Sequence, residues 1–297
     1  MTRKTAHDFD QDLLILFDAY VHGGIDRRTF LDKAAKFAVG GVTAAMLLEQ
    51  LSPKFLEAQV VSPKDPRIRQ EYVEFDSPDG YGRGRGYLVA PAGATGRLPG
   101  ILVIHENRGL NPHIEDIARR VALDDFVAFA PDALFPLGGY PGDEDSARQL
   151  FRDLEQAKTR EDFVAAAAFL RGRPEGTGRI GAVGFCYGGG MVNYLATRLG
   201  QDLAAGVAFY GSAPNLEDVP KIRCPIMIQS AETDPRINAS WPDYEAALEA
   251  AGVTYERYLY PGTQHGFNND TTPRYDEAAA KLAWERTIAF FNRHVRS

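Results

Sequence analysis

The sequence predicts an α/β protein: a mostly parallel central sheet with helices on both faces, preceded by a helical N-terminal extension. Three observations carry this. From about residue 70, apolar runs of strand length alternate with stretches of helical periodicity. Most of those runs are near-continuously apolar, as in strands buried on both faces. The third observation is the run Gly184-Phe185-Cys186-Tyr187-Gly188-Gly189-Gly190, which places a cysteine where a strand turns sharply into a helix. Glycines two before and two after it remove the Cβ atoms that would clash on such a turn.

Strands are expected at Glu71 to Asp76 and Arg85 to Ala90, an antiparallel start joined by the Gly-rich stretch 80–84. Alternation then sets in, with a strand at Gly100 to His105, a helix at Ile114 to Leu123 and a strand at Phe126 to Ala130. Helices follow around Asp145 to Lys158 and Glu161 to Leu170. Arg179 to Phe185, Leu203 to Tyr210, Cys224 to Gln229 and Thr254 to Tyr260 read as strands. Helices are expected after the cysteine turn, near Tyr244 to Ala251, and from Tyr275 to the end. Sites in such sheets gather at the carboxyl ends of the strands.

Residues 1–65 stand apart from this pattern, and residues 66–297 form the main domain. Phe9 to Tyr20 is a candidate amphipathic helix ended by Gly23-Gly24. Asp26-Arg27-Arg28-Thr29-Phe30-Leu31, followed by the weakly apolar stretch 37–48, resembles a twin-arginine export signal. The nearest cleavage candidate is Phe55-Leu56-Glu57-Ala58. A working signal implies an exported or periplasmic protein, and otherwise a cytoplasmic one. The competing reading has these residues as helices docked on the catalytic domain or on a partner subunit. The apolar stretch is too short to span a bilayer, so no integral membrane span is expected.

The formal net charge of −7 gives no electrostatic reason to approach a polyanion, so nucleic acid is not an expected partner. The two cysteines, Cys186 and Cys224, have neither metal-type nor redox-type spacing. Cys224 reads as a small buried hydrophobe. The expected ligand is a small molecule, with homo-oligomerisation left open.

Three residues follow three strands in the order nucleophile, acid, histidine: Cys186, Asp234 and His265. This is the chain order used by α/β-hydrolases, where the acid orients the imidazole and the imidazole handles the nucleophile's proton. A free thiol is only a few per cent ionised at neutral pH, so a neighbouring histidine and a helix N-terminus are the expected activators. Oxyanion donors are expected from the backbone N–H groups of Tyr187, which follows the nucleophile, and Asn107, in the loop after the first parallel strand. Glu232 is the rival acid. His105 reads as structural, Arg83 and Arg85 as solvent-facing. The Pro/Gly-rich connection 131–142 is expected to fold over the site, with Phe135 or Tyr140 lining a pocket.

Ile104-His105-Glu106-Asn107-Arg108-Gly109-Leu110-Asn111, the cysteine turn, Asp234 after a strand and His265-Gly266-Phe267 together resemble the dienelactone hydrolase family of α/β-hydrolases, across nearly all of residues 70–297. The resemblance implies an α/β-hydrolase fold and a carboxymethylenebutenolidase-like carboxylic ester hydrolase. It implies a Cys186–His265–Asp234 triad acting on a lactone, enol ester or simple ester through a thioacyl-enzyme. It also implies that Glu106 contacts a resting thiol kept mostly protonated, and no metal or organic cofactor follows from it. One position departs: where family members acting on dienelactone hold its carboxylate with an arginine four residues after the histidine, this chain has Asn269. Arg274 is the candidate substitute. The alternatives are a nucleotide-binding or oxidoreductase domain, disfavoured because 184–190 does not spell G-x-G-x-x-G, and a catalytically silent relative used for binding or assembly.

Overall fold

The computed structural model describes residues 4–296, with the side chain of Leu56 left aside. The domain bounds expected from the sequence, 1–65 and 66–297, thus include residues 1–3 and 297, which lie outside the described residues. An N-terminal arm comes first: α1 (Gln11–Val21), α2 (Arg27–Ala34), α3 (Ala44–Leu51) and the single turn α4 (Phe55–Ala58). Then come β1 (Ile68–Ser77), β2 (Gly82–Pro91), β3 (Leu98–Ile104), α5 (Pro112–Leu123), β4 (Val127–Pro131), α6 (Glu144–Arg152), α7 (Gln156–Arg171) and β5 (Gly176–Phe185). The chain closes with α8 (Tyr187–Leu199), β6 (Ala205–Phe209), β7 (Ile226–Thr233), α9 (Pro235–Asn238), α10 (Trp241–Ala250), β8 (Tyr255–Gln264) and α11 (Glu277–His294).

Among the described residues the sheet has eight strands in the order β1-β2-β4-β3-β5-β6-β7-β8. β1 with β2 and β2 with β4 pair antiparallel, and every pairing from β4 through β8 is parallel. The expected mostly parallel sheet with an antiparallel start is the one observed. Side chains alternate across it. Leu102 and Ile104 of β3 pack on one side with α7 and α8, while Ile101 and Val103 pack on the other with α5 and α11. Each such fully buried aliphatic contributes about 1.5–3 kcal/mol of burial, which fixes the register on both faces.

Two boundaries differ from the sequence expectation. The helix expected from Asp145 to Lys158 is two helices: α6 ends at Arg152 with Asp153 as its C-cap, and α7 restarts after Glu155, past the buried Leu154. β7 runs on to Thr233 and β8 to Gln264, because the ladder resumes at Thr233 and Gln264 after a register shift at Ala231. That polar tail carries no apolar pattern to read. It matters because it brings Asp234 and His265 to neighbouring strand ends.

The arm has its own small core of Leu13, Leu14, Phe17, Tyr20, Val21, Phe30, Ala34, Leu47, Leu48 and Leu51. Its helices start where capping predicts. Asp10 accepts from the Asp12 N–H at 2.8 Å, Asp26 from Thr29 at 2.7 Å and Thr43 from Met46 at 3.2 Å. No helix among the described residues is long and apolar enough to cross a membrane.

Candidate active site

The turn after β5 is where the sequence expects an elbow. Cys186 has φ +57° and ψ −111°, a conformation L-residues rarely adopt. A Cβ at Gly184 would overlap the Gly188 carbonyl, and one at Gly188 would overlap the Ile104 carbonyl. The glycines therefore let β3, β5 and α8 crowd together beneath the cysteine. Cys186 is the N-cap of α8, whose positive dipole end favours a thiolate.

Asp234 follows β7 and His265 follows β8. Both are buried, and His265 Nδ1 donates to Asp234 Oδ2 at 2.5 Å. The carboxylate sets the tautomer, leaving Nε2 for the thiol. Nε2 is itself buried and has no hydrogen-bond partner among the described residues. Glu232 is exposed and accepts from the Gly262 N–H at 2.8 Å, away from the imidazole.

A second imidazole reaches the same sulfur. His22 caps the C-terminal end of α1 and places Nε2 3.2 Å from Cys186 Sγ. Its Nδ1 faces the Asp18 carbonyl at 2.8 Å and the Asp18 carboxylate at 3.2 Å. The His22 and His265 rings meet edge to face, with centroids 4.6 Å apart. The donor atoms of His22, Cys186 and His265 all lie within 4.8 Å of one another. Such a set could share an added soft divalent cation, but a metal would take the sulfur lone pair that a nucleophile needs.

Electrostatics follow from this clustering. Burial alone would raise the Cys186 thiol, yet His22 and then His265 outweigh it and bring it down to about 5. Burial alone would lower His265, yet the sulfur and Asp234 push it up to about 10. His22 is likewise raised against its burial by Cys186 and Asp18. Burial also works against ionised Asp18, but His22, His265 and Arg274 hold its carboxyl well below the usual range. Cys224 lacks such neighbours, and burial pushes it up to about 12.

The loop after β3 supplies the rest. Glu106 is buried, and its Oε2 accepts from Arg108 at 3.3 Å and Asn269 at 3.1 Å. Among the described residues the hydrogen bond to the Cys186 sulfur comes from His22. The two flanking imidazoles shift the thiol toward thiolate. Tyr187 opens α8, so its N–H lacks an intrahelical acceptor. The Asn107 side chain donates to the Val21 carbonyl at 2.9 Å, tying the expected oxyanion loop to the end of α1. His105 is buried, with Nδ1 2.5 Å from the Glu106 carbonyl and Nε2 accepting from the Ala133 N–H at 3.1 Å. Burial lowers it to about 4, so it is a neutral structural group.

The expected substrate contacts are rearranged. Arg274 is buried and pairs with Asp18 at 3.2 Å, so its charge meets the arm's carboxylate. Tyr140 donates to Glu144 at 3.1 Å and stands edge-on to Phe55 of the arm, centroids 6.4 Å apart. Phe135 lies under the Arg85 guanidinium, 5.0 Å from the ring centroid. Arg85, expected to face solvent, is thus half-covered by Phe135 and 3.9 Å from the Asp132 carboxylate. Arg83 is exposed and pairs with Glu74 across β1 and β2. A cavity of about 180 Å³ follows the seam between α1 and the catalytic loops, walled by Leu14, Ile15, Asp18, Asp234, His265 and Arg274.

A model of the dienelactone hydrolase family matches residues 85–295. The chain belongs to that family. Its relatives include Protein usf of Aquifex pyrophilus, 34% identical over 222 residues, covering 71% of this chain and 94% of that protein. A protein of Saccharolobus solfataricus named as a carboxymethylenebutenolidase is 32% identical over 229 residues, covering 65% and 88%. A hydrolase fragment of Escherichia coli, YghX, is 48% identical over 114 residues, covering 38% of this chain and 97% of the fragment. The crystal structure titled as a dienelactone hydrolase from Klebsiella pneumoniae superposes with a TM-score of 0.66 at 27% identity, over 76% of this chain and all of that one. The protein is accordingly a hydrolase of carboxylic esters or lactones. A separate model, described as YqhI-like, matches residues 1–37, so the part of the arm that carries His22 has a match of its own.

Sequence reasoning missed His22 and Asp18 as site residues. The available signals were weak: an aspartate and a histidine at i, i+4 just before Gly23-Gly24, on a helix otherwise read for its apolar face. It also missed Tyr210, whose φ is +37° and whose buried hydroxyl has no partner among the described residues, with its ring centroid 4.9 Å from that of His265.

Proposed function

We propose that the protein hydrolyses neutral lactones, enol esters or simple esters with Cys186 as nucleophile, His265 as acid–base group and Asp234 as its orienting carboxylate. The observation that carries this is the buried 2.5 Å Asp234–His265 pair beside a cysteine held at positive φ on the β5–α8 turn. The Cys186 thiolate, paired with protonated His265, attacks the carbonyl carbon, the carbonyl π pair moves to oxygen, and the N–H groups of Tyr187 and Asn107 receive that oxyanion. Collapse breaks the bond to the leaving oxygen, which takes a proton from His265. A water deprotonated by His265 then attacks the thioester, which expels the Cys186 thiolate and a carboxylic acid and leaves His265 protonated as at the start. Glu106, held by Arg108 and Asn269, places a negative charge near the His265 imidazole and favours its protonated form between turnovers.

A neutral substrate is favoured because Asn269 stands where the family's clamp has arginine, and the nearest replacement, Arg274, is neutralised by Asp18. The test is a panel of 4-nitrophenyl esters, enol esters and lactones, with and without a carboxylate, given to the wild type and Cys186→Ala. The expected result is hydrolysis of the neutral members by wild type and roughly a thousandfold less or lower by the variant. Retained hydrolysis by Cys186→Ala would refute the mechanism, and preference for the carboxylate-bearing members would refute the substrate class.

A further inference from the structure

The sulfur of Cys186 is flanked by two histidines, each backed by its own carboxylate. Only one of these dyads belongs to the α/β domain. The other comes from the arm and meets the geometric requirements of an acid–base partner. With Nδ1–H donating to Asp18, the lone pair on Nε2 faces a sulfur 3.2 Å away. His265 Nε2 is near the same sulfur and has no hydrogen-bond partner among the described residues.

The helix ends reinforce the pairing. His22 sits at the C-terminal end of α1, where the dipole favours a cation, and Cys186 at the N-terminal end of α8, where it favours an anion. The two ends meet at the S···N contact.

The arm is placed by contacts with the loops that carry the site. Asn107 donates to the Val21 carbonyl, one residue before His22. Gln11 and Gln264 exchange amide hydrogen bonds at 2.8 and 3.2 Å, the latter next to His265. Tyr20 donates to Asp145 at 2.5 Å, and Asp18 pairs with Arg274 at 3.2 Å and Arg236 at 3.8 Å. Each contact joins the arm to a segment at the carboxyl end of the sheet.

We propose that His22 is a catalytic residue of this hydrolase: held by Asp18, it takes the Cys186 proton and leaves His265 free to serve the leaving group and the water. The inference rests on Cys186 being the nucleophile. In balanced form, the S–H proton moves to His22 Nε2, giving an imidazolium and a thiolate. The thiolate forms the C–S bond, and His22 returns its proton to sulfur when the thioester is hydrolysed and the thiolate leaves. His265 separately donates one proton to the leaving oxygen and recovers one from water. The arm is then part of the working enzyme, and cleavage near residues 55–58 would remove a catalytic group.

The charged groups around this sulfur and its two histidines are His22 and Asp18 from the arm, His265 and Arg274 from the segment after β8, and Glu106 and Arg108 from the loop after β3. Tyr210, after β6, completes the set. Only His22 and Asp18 need be changed to isolate the arm's share. The experiment measures the pH dependence of Cys186 alkylation by iodoacetamide, followed by peptide mass spectrometry, in full-length wild type, His22→Gln and Asp18→Asn. Hydrolysis of 4-nitrophenyl acetate is measured alongside. This labelling readout needs no turnover, so it separates failure of His22 from failure of the nucleophile reading, which Cys186→Ala addresses.

The expected result is an alkylation profile displaced upward by at least one pH unit in His22→Gln and by less in Asp18→Asn. kcat for the ester should fall about 10²-fold in His22→Gln, the usual contribution of one acid–base group. Circular dichroism should match wild type in both. An unchanged profile in a folded His22→Gln overturns the proposal, as does faster ester hydrolysis, which would make His22 a plug over the thiol. If His22→Gln does not fold, Asp18→Asn decides by the same two readouts.

Discussion

The arm and the α/β domain each deliver an imidazole to one sulfur, by different means. The domain's His265 stands on a strand end whose position is fixed by an eight-stranded ladder and two large cores. The arm's His22 stands at the end of an 11-residue helix held by one small core and a handful of polar contacts. Local opening is cheapest where few buried groups must separate. The same chemistry is therefore rigidly built in one dyad and conditionally built in the other. A group carried on the weaker element can be withdrawn without unfolding the domain, and the seam cavity beside Asp18 and His265 lies along that boundary.

The largest effect that can test this comparison falls on the domain's dyad. Asp234→Asn should lower kcat/KM about 10³- to 10⁴-fold, because the imidazole is left in the wrong tautomer. Thermal melting should move little. A loss under tenfold would take the acid's role away from Asp234. Next come the two cores. Phe126 and Phe30 are both fully buried, in the domain and the arm respectively. Replacing either by alanine costs about 3–5 kcal/mol at the site. Phe126→Ala should lower the melting temperature of the whole molecule, whereas Phe30→Ala should loosen the arm alone. The latter would appear as faster proteolysis around 55–58 with the main melting transition kept. Equal melting shifts would show that arm and domain unfold as one unit.

The pH window sharpens the electrostatic side. The folded thiol, at about 5, lies below its unfolded value of about 8.5. It favours the folded state above that unfolded value and loses this as pH falls through about 5. The folded His265, at about 10, lies above its unfolded value of about 6.5. It favours the folded state below that value and loses this as pH rises through about 10. The ion pair thus spans about pH 5 to 10. Iodoacetamide labelling of wild-type Cys186 should already be on its plateau at pH 7 and decline below about 5; a midpoint near 8.5 would mean that the thiol is not paired.

The smallest expected effect concerns the arginine pair. Arg27 meets Asp145 at 2.5 Å, but both side chains are largely exposed, so Arg27→Ala should change stability by less than about 1 kcal/mol. A larger loss in chemical denaturation would make this pair a principal tie between arm and domain. The residues that resemble an export signal are in this structure the capped start of α2, with Phe30 at the centre of the arm's core.

Much of the domain was legible because its signals are local. The elbow is written in seven consecutive residues, since glycine is demanded wherever a Cβ would meet backbone. Asp234 and His265 could be found because each follows a strand. The tails of β7 and β8 were not legible: Ser230, Glu232 and Thr263 carry no apolar pattern, and only ladder pairing shows that the strands continue. Arg274 could be named as a candidate from its loop, but which carboxylate it meets depends on a helix more than 250 residues earlier in the chain.

By itself the sequence determined the fold class, the family, the elbow and the chain order of Cys186, Asp234 and His265, because periodicity and glycine placement act over a few residues. Only the tertiary structure decided what covers the thiol. His22 and Cys186 are 164 residues apart, and no short motif encodes a contact made by docking one helix end against another. For the same reason, Glu106 is engaged by Arg108 and Asn269 while the arm's imidazole takes the sulfur. That choice depends on which side chains the packed arm brings within about 3 Å, and linear order does not carry such distances.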